Sequence, residues 1–176
     1  MNVFRNDIRG IVWDWGDTLM RDIPGQVGPM VEWPRVEAMP GASDALEALS
    51  SYPIHCVASN ATESNGEMIA KALGRVGLRQ HFSHFFTSAE LGVSKPDPGF
   101  FEAVAREVGV PLRHLLSVGD NLRKDILPAK AAGMATILVS TEDGEEAREP
   151  AADLVVLSLR QLETVFRSWI LSRQMA

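Results

Sequence analysis

Short apolar runs alternate along the chain with amphipathic stretches, and most of the runs end at a glycine or a polar residue. An apolar run flanked by turn residues predicts a buried strand, whereas apolar residues three and four positions apart predict a helix. The pattern predicts six strands, over residues 8–14, 54–58, 85–87, 115–118, 135–139 and 154–157. It predicts helices over residues 41–51, 63–73, 98–108, 122–132 and 159–173. This alternation predicts an α/β fold, a three-layer Rossmann-like parallel sheet with helices on both faces.

Four residues mark predicted helix boundaries. Thr62 can cap the second helix with its hydroxyl, and Pro98 can begin the third at its first turn, with Gly109 ending it. Pro128 lies inside the fourth helix, where it lacks the N–H that the helix needs. We therefore expect the fourth helix to kink at Pro128 or to end its first part there.

The stretch at about residues 20–40 predicts no regular structure, because it contains four prolines and two glycines. A loop of this length inside a compact domain is usually functional. Met30, Val31 and Trp33 supply apolar anchors, so we expect the loop to fold back over the body. The chain is expected to form one domain, residues 1–176, with this loop as an insert.

Composition narrows the class of protein. The chain has 176 residues, of which 45% are hydrophobic and 23% charged, as in a soluble globular domain. Its net charge of -6 argues against nucleic acid as a partner. No apolar stretch is long enough for a membrane span or a signal peptide, so a cytoplasmic location is expected. The one cysteine, Cys56, lies in an apolar run and is interpreted as a core residue.

Polar side chains follow several predicted strands at the point where each strand ends. In a parallel sheet these ends meet at one edge, where ligands bind in open α/β sheets. Clustered carboxylates would repel one another unless a cation lay between them, and oxygen ligands suit Mg²⁺. A lysine and a hydroxyl beside them suit a phosphate, and an aspartate can attack phosphorus. The residues concerned are Asp14, Asp17, Ser59, Asn60, Lys95, Asp120 and Asp125.

These segments resemble the haloacid dehalogenase-like hydrolase superfamily. The matching segments are DWGDTL at residues 14–19, VASN at 57–60, SKPDPGFF at 94–101 and SVGDNLRKDILPAKAAGM at 117–134. The resemblance spans roughly residues 8 to 140. It implies the same α/β fold without a large cap domain, because the stretches before residue 59 and between residues 59 and 95 are too short for one.

The resemblance also implies a metal site. Asp14 resembles the nucleophile, which would also ligate Mg²⁺. Asp120 resembles a second ligand, and Asp125 resembles its acidic neighbour, either a ligand or a holder of bound water. Gly16 keeps the backbone carbonyl that completes the family's metal site.

A phosphate site follows from the same resemblance. Ser59 resembles the phosphate-binding hydroxyl, with the Asn60 amide beside it. Lys95 resembles the lysine that balances the charge of the nucleophile and the phosphate.

One position departs from the family pattern. Family phosphatases have a general acid two residues after the nucleophile, where this chain has Gly16, and an aspartate follows one position later, at Asp17. Asp17 either reaches the leaving oxygen as a candidate acid or hydrogen-bonds backbone in the turn. Both interpretations stay open at this point.

The expected function is hydrolysis of small phosphomonoesters with Mg²⁺ and an aspartyl-phosphate on Asp14. The alternative is a catalytically weakened relative that binds a phosphorylated ligand or a protein partner. A dehalogenase is disfavoured by the paired acids, and a phosphonoacetaldehyde hydrolase by the lack of a lysine between residues 19 and 51. Substrate identity stays undetermined, and so does the oligomeric state, for which a homo-oligomer is one possibility.

Overall fold

The computed structural model describes residues 3–4, 7–140 and 151–174, with side chains to residue 168. Two parts of the sequence lie outside this description: the acidic residues 141–150, and the side chain of Trp169 in the helix predicted over residues 159–173. Among the described residues, no helix has the length and apolarity needed to cross a bilayer.

Six parallel strands form one sheet, in the order β3-β2-β1-β4-β5-β6. The sheet prediction is confirmed, although the first strand is shorter than the predicted 8–14. Its strands are β1 (Gly10–Trp13), β2 (Ile54–Ser59), β3 (His84–Thr87), β4 (Leu115–Gly119), β5 (Ala135–Val139) and β6 (Leu154–Val156).

Helices cover both faces of the sheet, as predicted. On one face, α1 (Ala42–Ala48), α2 (Gly66–Arg75) and α6 (Leu159–Gln174) pack in a core cluster with Ile11 and Trp13. The opposite face carries α4 (Pro98–Val108) and α5 (Leu127–Ala131), which join Val12 and Cys56 in a second cluster. Side chains alternate along β1 between the two clusters because successive residues of a strand point to opposite faces.

The core position of Cys56 is confirmed. Its side chain is fully buried, and this burial raises the pKa of the thiol to about 12. A thiol held in its neutral form is a poor nucleophile, so Cys56 contributes to packing.

One predicted helix start needs correction, and one short helix was missed. The second helix is not capped by Thr62: it begins at Gly66, where the Asn65 side chain accepts the Met68 N–H. The residues after β2 instead turn tightly, with the Ser59 hydroxyl accepting the Ala61 N–H, so the helix cannot start at once. A short helix α3 (Ser88–Leu91), capped by the Thr87 hydroxyl, was not predicted.

The predicted helix 122–132 is two elements. A π-helical segment (Leu122–Ile126) comes first, started by the Asn121 side chain, which accepts two backbone N–H groups. It gives way to α5, with Pro128 in the first turn. The expectation that Pro128 would end the first part is confirmed, because proline is tolerated only where an N–H is not needed.

The loop over residues 20–40 folds back onto α2. It contains a 3₁₀ turn (Met30–Glu32), and both Met30 and Trp33 are buried in the core. The Arg75 guanidinium donates hydrogen bonds to the carbonyls of Val31, Trp33 and Pro34 at 3.1, 2.6 and 3.2 Å. The loop is therefore fastened to α2 and forms one wall of the cleft described next.

Candidate active site

The ends of β1, β2 and β4 open into a cleft of about 420 Å³ at the carboxyl edge of the sheet. Every residue that the sequence assigns to the site lines this cleft. They are Asp14, Gly16, Asp17, Ser59, Asn60, Lys95, Asp120 and Asp125. Because β1 is hydrogen-bonded to both β2 and β4, three strand ends lie side by side here.

Lys95 is the buried cation of the site, with 4% of its surface exposed. Its Nζ donates to Asp14 Oδ1 and to Asp125 Oδ1, each at 2.6 Å, and to the Ala58 carbonyl at 3.0 Å. Burial by itself would lower the pKa of Lys95, but the negative charges of Asp14 and Asp125 outweigh it and raise that pKa. Lys95 is therefore an ammonium ion whose three protons all have acceptors.

The side-chain amide of Asn60 positions the loop that carries Lys95. Its Nδ2 donates to the Lys95 carbonyl at 2.7 Å, and its Oδ1 accepts the Lys95 N–H at 2.8 Å. Ser59 lies directly before it, and its Oγ accepts the Ala61 N–H at 3.0 Å. The Ser59 hydroxyl proton is left for a donor role toward the cleft, whereas the Asn60 side chain already has its partners.

Thr18 joins the ends of β1 and β4, and it was not among the predicted site residues. It is fully buried, and its Oγ1 lies 3.2 Å from Asp14 Oδ2 and 3.1 Å from Asp120 Oδ1. The same oxygen accepts the Asp120 N–H at 3.0 Å. A hydroxyl has one proton, so it donates to one of the two carboxylates at a time. The one signal in the sequence that could have identified Thr18 is the position of its hydroxyl, four residues after Asp14.

Asp125 is held against β4 by contacts on both carboxylate oxygens. Oδ1 binds Lys95, and Oδ2 accepts the Asn121 N–H at 3.1 Å. The π-helical turn carries Asp125 back so closely that a Cβ on Gly119 would lie 2.5 Å from the Asp125 Cβ. Only glycine fits at position 119 without displacing Asp125.

The charges of the site fit a divalent cation. Oxygens of Asp14, Asp120 and Asp125 lie within 4.8 Å of one another, and one ammonium, Lys95, offsets three carboxylates. Burial and the charge of Asp14 raise the pKa of Asp120 to about 6 and that of Asp125 to about 7. Hard oxygen ligands with this unbalanced charge suit Mg²⁺.

The turn after Asp14 contains the departure from the family pattern. Gly16 has no Cβ, and one built there would have no heavy atom within 4 Å. Asp17 adopts a left-handed conformation with φ 53°, and its Oδ1 accepts the Asp22 N–H at 3.0 Å. In this structure the Asp17 carboxylate therefore stabilises the turn that begins the 20–40 loop.

Comparisons with known proteins agree with this geometry. A family model described as haloacid dehalogenase-like hydrolase matches residues 26–133. The chain is 32% identical to pyrimidine 5′-nucleotidase YjjG of Escherichia coli over 71% of this chain and 55% of that protein. It is 37% identical to phosphoserine phosphatase of Thermus thermophilus over 49% of this chain and 34% of that protein.

A solved structure shows the same fold. The hydrolase YfnB of Bacillus subtilis, crystallised with bound magnesium, aligns with a TM-score of 0.71 and 16% identity, over 90% of this chain and 98% of that one. The curated relatives are longer: the chain spans between 28% and 55% of the length of eight of them. With a family model that covers more than half of its residues, this chain belongs to the haloacid dehalogenase-like hydrolase family.

Proposed function

We propose that the chain is a Mg²⁺-dependent phosphomonoesterase that forms an aspartyl-phosphate on Asp14. The observation that carries this proposal is the contact of Lys95 Nζ with both Asp14 and Asp125 at 2.6 Å, beside Asp120 in one cleft. The buried ammonium of Lys95 would attract the phosphate oxygens next to Asp14. This arrangement is suited to attack by a carboxylate on phosphorus.

The phosphate contacts come from β2 and the Lys95 loop. The Ser59 hydroxyl donates to one phosphate oxygen, and Lys95 offsets the charge of the group. Because the Asn60 side chain is bonded to Lys95, Asn60 contributes through its backbone amide and by keeping Lys95 in position.

The carboxylates of Asp14 and Asp120, with the Gly16 carbonyl, would hold Mg²⁺. Bound Mg²⁺ would offset phosphate charge and orient the group toward Asp14. Asp125 fixes Lys95 and the Asn121 backbone, and it would hold a water beside the ion.

Relatives point to the chemical class of the substrate. Proteins similar to this chain are named as phosphoserine phosphatase, glyceraldehyde 3-phosphate phosphatase and phosphoglycolate phosphatase. All of these names describe small phosphorylated molecules, and the cleft of about 420 Å³ admits one. The substrate of this chain is accordingly a small phosphomonoester.

A phosphatase assay with and without Mg²⁺ tests the proposal. We expect p-nitrophenyl phosphate to be hydrolysed with Mg²⁺ and not with EDTA, and Asp14→Asn to lose ~10⁴-fold or more in rate. Asp44→Asn, on the exposed side of α1, is the matched control and should retain wild-type activity. Turnover by Asp14→Asn at a rate near that of the wild type would contradict the covalent mechanism.

The missing side chain at Gly16 favours one alternative, a relative that binds a phosphorylated ligand without turning it over. Calorimetry with inorganic phosphate and Mg²⁺ separates the two. Phosphate binding by a folded wild-type protein that hydrolyses no ester would support the binding protein.

A further inference from the structure

The hydroxyl of Ser64 has no hydrogen-bond partner among the described residues, although Ser64 exposes only 9% of its surface. In the same part of the chain, every other buried polar or charged side chain has at least one hydrogen bond. Buried polar groups are normally paired, because a buried group without a partner has lost its hydrogen bonds to water. Ser64 therefore needs a partner that comes from outside the chain.

Ser64 lies in the cleft that contains Asp14. It is one of the residues that line this cleft, and it belongs to the loop between β2 and α2. Within the described residues, Ser64 Oγ is not one of the polar atoms that are both sealed from solvent and unpaired. The exposed part of Ser64 therefore includes its hydroxyl, which is open to the cleft.

The loop that carries Ser64 is fixed on both sides of this residue. Before Ser64, the Ala61 carbonyl accepts a hydrogen bond from the Ser88 hydroxyl at 3.3 Å. After Ser64, the Gly66 N–H donates to the Glu90 carboxylate at 3.0 Å. The position of the Ser64 hydroxyl is therefore set before a ligand binds, which lowers the cost of binding one.

The phosphate group of a substrate has its contacts elsewhere in the cleft. Under the proposed function, the Ser59 hydroxyl and the Lys95 ammonium bind it beside the nucleophile. Ser64 lies further along the chain, and the two residues before it, Thr62 and Glu63, are exposed while they line the cleft. The hydroxyl of Ser64 is therefore available to the alcohol part of the ester.

The charges of the cleft favour a neutral partner for Ser64. Outside the metal site, the described lining residues include three exposed carboxylates and one exposed ammonium: Asp17, Asp22, Glu63 and Lys124. A carboxylate on the substrate would be repelled by this surplus of negative charge, and an ammonium would bind to a carboxylate in preference to a hydroxyl. A hydroxyl carries no charge and, like that of Ser64, can donate or accept a hydrogen bond.

We infer that Ser64 determines specificity by binding a hydroxyl on the alcohol part of the ester, so that the substrate is the phosphate of a polyhydroxy alcohol. The inference rests on the proposed function. A substrate hydroxyl gives Ser64 the hydrogen bond that the chain does not supply. An ester without that hydroxyl would displace water from Ser64 and give no bond in return, so it would be a poorer substrate.

Glycerol phosphate and propyl phosphate test the contact, because they have the same carbon chain and only the first has free hydroxyls. We expect Ser64→Ala to lower the ratio of their kcat/KM values, glycerol phosphate over propyl phosphate, by ~10-fold relative to wild type. Any effect of leaving-group acidity is the same in both proteins and cancels in this comparison. Ser50→Ala, at an exposed position just after α1, is the control and should keep the wild-type ratio.

Thermal denaturation gives a readout that does not depend on activity. Because the Ser64 hydroxyl has no partner within the described chain, Ser64→Ala should leave the Tm of the free protein unchanged or raise it. A Tm that falls by several degrees, or a variant that does not fold, would show that the hydroxyl stabilises the folded protein. Either result would overturn the inference.

Hydrolysis of p-nitrophenyl phosphate with Mg²⁺ separates failure of this inference from failure of the proposed function. If wild type hydrolyses it and the glycerol-to-propyl ratio is the same in Ser64→Ala, the inference is wrong and the phosphatase stands. The inference is also wrong if Ser64→Ala loses activity only on phosphoglycolate or only on phosphoethanolamine, because the partner of Ser64 is then a charged group. A folded wild type that hydrolyses none of these esters contradicts the proposed function, and the inference falls with it.

Discussion

The two sides of Asp14 differ in how firmly the protein holds them. Toward the sheet, hydrogen bonds connect Lys95, Thr18, Asp120 and Asp125 to their neighbours, and the three buried members, Lys95, Thr18 and Asp125, each have at least two partners. Toward the cleft, Gly16 presents open space and Asp17 is exposed.

This difference indicates that the two sides of Asp14 have different roles. Under the proposed function, the groups that orient Asp14 and Mg²⁺ must be held to a fraction of an ångström, which requires packing and hydrogen bonds from several elements. The open side is formed by the turn after β1 and the 20–40 loop, where a Cβ on Gly16 would contact no heavy atom within 4 Å. Substitutions on the open side could then change substrate preference while the buried side remains the same.

Gly119→Ala should break the buried side most severely. Its new methyl group would lie 2.5 Å from the Asp125 Cβ, so Asp125 must move and release Lys95. We expect kcat/KM to fall by ~10²-fold or more, and the free energy of unfolding to fall by roughly 1–3 kcal/mol. Activity assays and chemical denaturation measure these effects.

Gly74→Ala is its control, because a Cβ there would meet its nearest neighbour, in Arg79, at 3.9 Å. This variant lies inside α2 and should be neutral or slightly stabilising. Wild-type activity in Gly119→Ala would show that Asp125 does not need its observed position.

Thr18→Val tests the bridge between Asp14 and Asp120. Valine has the same shape but leaves the Asp120 N–H without its acceptor, which costs roughly 1–3 kcal/mol of stability. Because both carboxylates lose their orienting hydroxyl, we also expect Mg²⁺ affinity and kcat/KM to fall ~10–100-fold. Calorimetry with Mg²⁺ measures the affinity.

Thr136→Val is a matched control for that change. Thr136 is also fully buried, donates to the Asp153 carboxylate at 3.1 Å and accepts the Asp153 N–H at 3.1 Å. Its loss should lower stability similarly while Mg²⁺ affinity stays at the wild-type level. Equal Mg²⁺ affinities in the two valine variants would assign Thr18 a purely structural role.

His55 extends the comparison to the core beneath the site. Its Nδ1 accepts the Trp13 indole N–H at 3.1 Å and its Nε2 donates to the Leu49 carbonyl at 3.1 Å, so the ring is neutral. Burial lowers the pKa of His55 below 6.5. The unfolded chain then binds a proton that the folded chain does not, so stability is lost as pH falls below about 6.5.

His55→Gln isolates this contribution. We expect the Tm advantage of wild type over His55→Gln at pH 7.5 to shrink at pH 5.5, as measured by thermal denaturation. A Tm difference that stays constant across this range would mean that His55 does not titrate on unfolding.

Asp17→Asn should have the smallest effect. Asparagine tolerates the left-handed conformation, and its Oδ1 can still accept the Asp22 N–H. We expect activity on aryl and alkyl phosphates to stay within about threefold of wild type, and Tm to be nearly unchanged. A selective loss on alkyl phosphates alone would identify Asp17 as the general acid.

Features that depend on nearby residues were predictable. The helix at Pro98–Val108 has the predicted bounds because Asp97 caps it, Pro98 suits its first turn and Gly109 takes the left-handed conformation that ends it. By contrast, the start of α2 was misplaced, because the turn after Ser59 delays the helix and several polar residues there could serve as caps.

The pattern of the sequence by itself determined the six strands, the longer helices between them, the parallel sheet, and the polar residues at the strand ends. These follow from period, turn residues and the geometry of parallel strands, all of which act over short distances along the chain. Only the tertiary structure decided the contact of Thr18 with Asp120, 102 residues away, and the bonding of Asn60 to Lys95, 35 residues away. The tertiary structure also decided that Asp125 occupies the space where a side chain at position 119 would lie, whereas the space beside Gly16 is empty of neighbours. Two glycines look alike in sequence and differ only in what packing places beside them.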